Sequence, residues 1–124
     1  MRVEFKQAET AGEAPPAPPR ARGTGARLVA ELQALANGHG TLLEHRQHGW
    51  ASVTFSGTRH ELAFRFEGAV AIAGGEILVA SLSEHEFTIP RQLVADAVVV
   101  AVDHAMFPAP LLEIRCEVLM LDED

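Results

Sequence analysis

Apolar residues recur every three or four positions between residues 25 and 36, where Leu28, Leu32 and Leu35 share one side of a predicted helix. Thr24 is placed to cap its start, and Asn37-Gly38 offers a left-handed stop just past its end. Beyond Gly40 the period falls to two. Ala51, Val53 and Phe55 alternate with polar neighbours, and Leu62, Phe64 and Phe66 do so again, which makes "SGTR" at 56–59 the expected turn of a hairpin with one oily face.

Residues 68–83, "GAVAIAGGEILVASLS", admit two readings: a helix bearing Val70, Ala73, Ile77 and Leu82, or a short hairpin turning at Gly74-Gly75. The alanine content and the length favour the helix, and its small residues would let it lie close against a sheet. A loop around "SEHEFTIP" leads to two strands, "ADAVVVAVDH" and "LLEIRCEVLML", joined by "AMFPAP". In the second, Leu112, Ile114, Cys116, Val118 and Met120 share one face, with Glu113, Arg115 and Glu117 on the other.

The order is helix, strand, strand over 25–67 and the same again over 68–122. Short connections then predict an α+β fold: a four-stranded antiparallel sheet with two helices packed on one face. The domain is expected to run from 25 to 124. Ahead of it, the Pro/Ala/Gly-rich stretch 11–24 reads as a linker and residues 1–10, through "RVEFKQ", as a candidate edge strand.

Charge narrows the partners. With 17 acidic against 10 basic residues, a net −7, and no basic stripe, the chain lacks the positive surface on which binding to DNA, RNA or anionic membranes depends. A single cysteine, Cys116, allows no intramolecular disulfide and no Cys-based zinc site, which fits a reducing cytoplasm. It falls at a core position of its strand. No charge-free stretch approaches the roughly 20 residues of a membrane span, and the N-terminus has no apolar signal core.

"HGTLLEHRQHGW" at 39–50 gathers three histidines, a glutamate and the sole tryptophan. On a strand, His45 faces away from Glu44 and His48, and those two stand roughly 13 Å apart. A helical turn started by Thr41 and Glu44 would bring them together, but the strand is favoured. "HELAF" at 60–64 and "HEFTI" at 85–89 open as metalloprotease helices do, yet each has an apolar residue where the second histidine belongs. All six histidines are therefore expected at polar surface positions, Trp50 as packing, and no metal or cofactor is expected. No nucleophile-elbow serine or phosphate loop occurs, and "GTGARL" at 23–28 has a proline-rich segment where a dinucleotide-binding strand belongs.

Three groups could carry acid–base chemistry: Glu76 in the apolar helix, Asp96 inside "LVADAVVV", and His85 in the loop between them. The strand at 97–102 is apolar on both faces, with Val98, Val100 and Val102 on one and Ala97, Val99 and Ala101 on the other. The face turned from the helices needs cover. A second copy supplies it, with Val99, Ala101, Met106 and Phe107 as the expected interface. The first functional expectation is thus a non-catalytic homodimeric domain that binds a protein partner or a small apolar ligand. The second starts from the Gly/Ala-rich helix pressed on an antiparallel sheet, a layout similar to hot-dog thioesterases and dehydratases. That similarity implies Glu76 as the acid acting on an acyl thioester, while the helix at 25–36 and the two-plus-two strand order depart from it.

Overall fold

The computed structural model describes residues 23 to 123, so the candidate edge strand at 1–10 and all but the last two residues of the 11–24 linker lie outside the described residues. Within it run α1 (Thr24–Leu35), β1 (Thr41–Ala51), β2 (Ser56–Glu67), α2 (Ala69–Ser81), a 3-10 turn (Leu82–Glu84), β3 (Gln92–Ala105) and β4 (Leu111–Asp122). The four strands form one antiparallel sheet in the order β1-β2-β4-β3, leaving β1 and β3 as edges. Two helices and a four-stranded sheet in this order are the expected α+β class.

Both helices lie over one face. There Leu62, Phe64 and Phe66 of β2 and Leu112, Ile114, Cys116, Val118 and Met120 of β4 form the core with Leu28 and Leu32 of α1 and Ile72 and Leu78 of α2. Residues 68–83 are helical, and Gly74 and Gly75 place the helix. A Cβ on Gly75 would stand 2.8 Å from Leu112 and 2.9 Å from Phe66. On Gly74 it would stand 2.3 Å from the carbonyl oxygen of Ala36. One glycine thus brings α2 down on the sheet and the other brings it against α1, where any side chain would hold the elements apart.

α1 ends as expected, with Asn37 and Gly38 at φ 59° and 83° and the Gly38 amide donating to the Gln33 carbonyl at 2.7 Å. It begins one residue early. Gly23, not Thr24, is the N-cap: its carbonyl accepts from the Arg27 amide, and no side chain caps the helix. The hairpin turn also sits elsewhere. It is Ser52–Phe55, closed by the Ser52 amide on the Phe55 carbonyl at 2.7 Å and by the Phe55 amide on Ser52 Oγ at 3.1 Å. "SGTR" belongs to β2, and Val53 and Phe55 are exposed instead of facing the core. A serine able to accept from an amide three residues on makes as good a turn as a glycine does, which is why alternation ran past it.

The face without helices is polar across β1, β2 and β4. Arg65 donates to Glu113 at 2.8 Å, Arg59 lies 3.9 Å from Glu117 and His48 3.5 Å from Glu61. Arg115 donates to Glu44 at 3.0 Å across the intervening β2. Ala63, opposite both in the register, is nearly buried beneath that bridge, which a larger side chain would obstruct.

β3 departs from strict alternation. Its register slips between Val94 and Asp96 and again between Val99 and Ala101. Val99 opposes Cys116 and packs on the core, whereas Ala101 opposes Arg115 on the open face and Val102 opposes Ile114 on the helix side. The two clean faces expected for 97–102 are therefore broken by the second slip, which moves the residues after it to the other face, so that Val98 and Val102 lie on opposite sides.

Candidate functional site

The three acid–base candidates do not meet. Glu76 is exposed on α2, over one face of the sheet. Asp96 is exposed and opposes Leu119, whose strand neighbours Val118 and Met120 point to the helix side, so Asp96 faces the other way. His85 is half-buried and engaged: its Nε2 donates to Glu31 of α1 at 2.8 Å, and its ring meets Phe87 edge-on with centroids 4.6 Å apart. Glu31 also accepts from the Thr88 amide at 3.1 Å. These bonds fasten the 85–91 loop to α1. Glu31 stands three residues after Leu28 and four before Leu35, at the edge of the buried face of α1 and itself half-buried, and the distant His85 gives it a task.

The histidine signal lies where alternation did not look for it. His60 is 1% exposed, on the helix side of β2, and its Nδ1 is hydrogen-bonded to Nε2 of His45 at 2.8 Å. The expectation that every histidine lies at the surface fails here. The reason is register: His45 opposes Leu62, and His60 opposes Val118, so both point under α1. A Cβ on Gly25 would come within 3.1 Å of the His45 ring, which shows how closely the first turn of α1 covers the pair. Burial lowers the pKa of His45 to about 4, and burial together with the charge of His45 lowers that of His60 to about 3. Both rings are neutral at pH 7. Neither is an acid there, and His60 Nε2 has no hydrogen-bond partner among the described residues.

Other chemistry is sparse. Cys116 is buried, and burial with neighbouring Glu117 raises its pKa to about 12, which removes the thiolate on which reactivity depends. Among the described residues no three His, Cys, Asp or Glu side chains stand together as metal ligands. An open cleft of about 310 Å³ lies at the end of the sheet between Phe55, Leu93 and Leu121, with Ser56, Asp122 and Glu123 on its polar side. It contains none of the acid–base candidates. Trp50, half-buried at the end of β1, opposes Gly57 in the neighbouring row.

Exposed apolar groups gather elsewhere. Of the expected interface residues, Met106 and Phe107 are exposed, Phe107 to 88%. Val99 and Ala101 are half-buried, and the exposed large apolar residues on β3 are Leu93, Val98, Val100 and Val102. The 82–91 segment explains the division. Leu82, Phe87 and Ile89 join the core beside Val94, Ala97 and Val99, which covers the first half of β3 and leaves the second half bare.

No helix of the described chain is long and apolar enough to cross a membrane. No family model matches this chain, and no curated protein matches it. Among solved structures, a chain from the virion of a native gene transfer agent particle is similar at 15% identity and a TM-score of 0.47, over 77% of this chain and 86% of that one.

Proposed function

We propose that this chain is a non-catalytic α+β domain that works by association, joining a second copy of itself through the second half of β3 and the 106–110 loop. One observation carries the reading: the edge strand β3 carries exposed Val98, opposite Glu117 on the open face, and exposed Val102, opposite Ile114 on the helix side, and runs into exposed Met106 and Phe107, whereas the open face on β1, β2 and β4 is covered by ion pairs. Water solvates a paired arginine and glutamate well and exposed valines badly, so the valines gain most from being covered. A small apolar ligand is a weaker occupant, because such ligands need an enclosing cavity and these side chains stand open to solvent, Phe107 to 88%.

Gel filtration with light scattering at micromolar concentration tests it. The expected mass is twice the 13.3 kDa of one chain. Val102→Lys, which places an ammonium group in the contact without touching the core, is expected to return the single-chain mass. A wild-type protein that keeps the single-chain mass up to about 100 μM, the range in which a contact of roughly 5 kcal/mol would show, ends the reading.

A further inference from the structure

We infer that the contact is completed by α2, packed antiparallel against α2 of the second copy; the inference rests on the association reading above. α2 carries one charged residue, Glu76, among thirteen. Its buried side is Ile72, Gly74, Gly75 and Leu78. The exposed remainder includes Val70, Ala73, Ile77 and Ala80, with Val70 73% exposed. A helix apolar on all sides is ordinarily covered on all sides.

Spacing identifies the occupant. Val70, Ala73, Ile77 and Ala80 follow one another at intervals of three, four and three, the seam of a helix pair. Two such helices related by a two-fold axis near position 75 bring Val70 opposite the partner's Ala80 and Ala73 opposite the partner's Ile77. Each large side chain meets a small one, so the surface is complementary to itself, as an isologous contact requires.

Area and charge agree. From their fractional exposures, Val70, Ile77 and Val79 of α2 together with Val102 on the helix side of β3 and Met106 and Phe107 present on the order of 600 Å², within the roughly 600–1,000 Å² that one partner contributes to a stable interface. The β3 surface and tip alone fall short of it. The Gly68 amide donates to the Pro110 carbonyl at 3.2 Å, so the start of the α2 seam lies beside the 106–110 loop. Two chains of net charge −7 repel one another. Glu44, Glu61, Asp96, Asp103, Glu113 and Glu117 belong to strand positions on the open face, and the α2 surface brings only Glu76 to the contact.

Charge exchange tests the pairing. Ala73→Glu and Ile77→Lys both alter exposed positions, so each variant should keep the wild-type far-ultraviolet circular dichroism. Each alone should weaken association at least roughly a hundredfold, the cost of covering an unpaired charge. Mixed in equal amounts, they should regain the two-chain mass, because the glutamate at 73 of one chain then opposes the lysine at 77 of the other. Should Val102→Lys separate the chains while Ala73→Glu leaves the mass unchanged, α2 is outside the contact and this inference fails with the association reading intact. Failure of the mixture to reassociate overturns the antiparallel pairing. A wild-type monomer overturns both.

Discussion

At the scale of single residues, the His45–His60 pair dominates the pH response. The pKa values of about 4 and about 3 lie below the ordinary 6.5, so the unfolded chain takes up these two protons before the folded one does. Stability therefore holds above pH 6.5 and declines as the pH falls from there toward 4, with a slope of at most ~1.4 kcal/mol per pH unit for each imidazole. Urea midpoints measured from pH 7.5 to 4 should show that decline. The double variant His45→Leu, His60→Leu should flatten it, since leucine takes up no proton and leaves no unpaired nitrogen. A second expectation concerns Glu31. Glu31→Ala removes two acceptor contacts and should cost about 1–2 kcal/mol, and amide exchange at Phe87 and Thr88 should quicken while the sheet stays protected.

At the scale of elements, α2 depends on its two glycines. Gly74→Ala adds helix propensity, worth up to ~1 kcal/mol in an exposed helix, but drives a methyl group into the Ala36 carbonyl. The net change should be a loss of about 1–3 kcal/mol, read as a lower thermal midpoint. Neighbouring Glu76→Ala, on an exposed flank, should change it little. Much of this level was legible in the sequence. α1, the alternation of β2 and the core face of β4 follow from period, because each buries one side over many residues, whereas α2 was preferred to a hairpin on alanine content and length, and β3, apolar on both faces, on composition. The breaks in period were not legible. A bulge is set by how β3 pairs with β4, and nothing local in "VVVAV" marks the point where the register slips. The Ser52–Phe55 turn was hidden by alternation that continued through it. For the candidate site, exposed Met106 and Phe107 were readable as apolar residues in a proline-flanked loop. The placement of Val99 and the pairing of His45 with His60 each required the register of a neighbouring strand.

At the scale of the whole molecule, the two faces of the sheet divide the work. One holds the helices and the core; the other is held by cross-strand charge pairs such as Arg65–Glu113 and the bridge from Arg115 to Glu44 above Ala63. Ala63→Leu should break that bridge and cost about 1 kcal/mol. If it were that pair and not the core that suffered, the loss should shrink in 1 M sodium chloride, where the screening length is about 3 Å. Association through β3 and α2 should behave oppositely and tighten with salt, since salt screens the repulsion of two acidic chains and leaves apolar burial intact. Light scattering across a salt series distinguishes the two responses.

The bulges in β3 bear on how far self-association can go. A free strand with regular pleating is a template on which one chain after another can stack into a fibril. Twisted twice within fourteen residues, β3 offers side chains but no straight run of amides for such growth. The geometry favours a closed pair over an endless thread, and a concentrated solution should stay clear, with no rise in thioflavin fluorescence on standing.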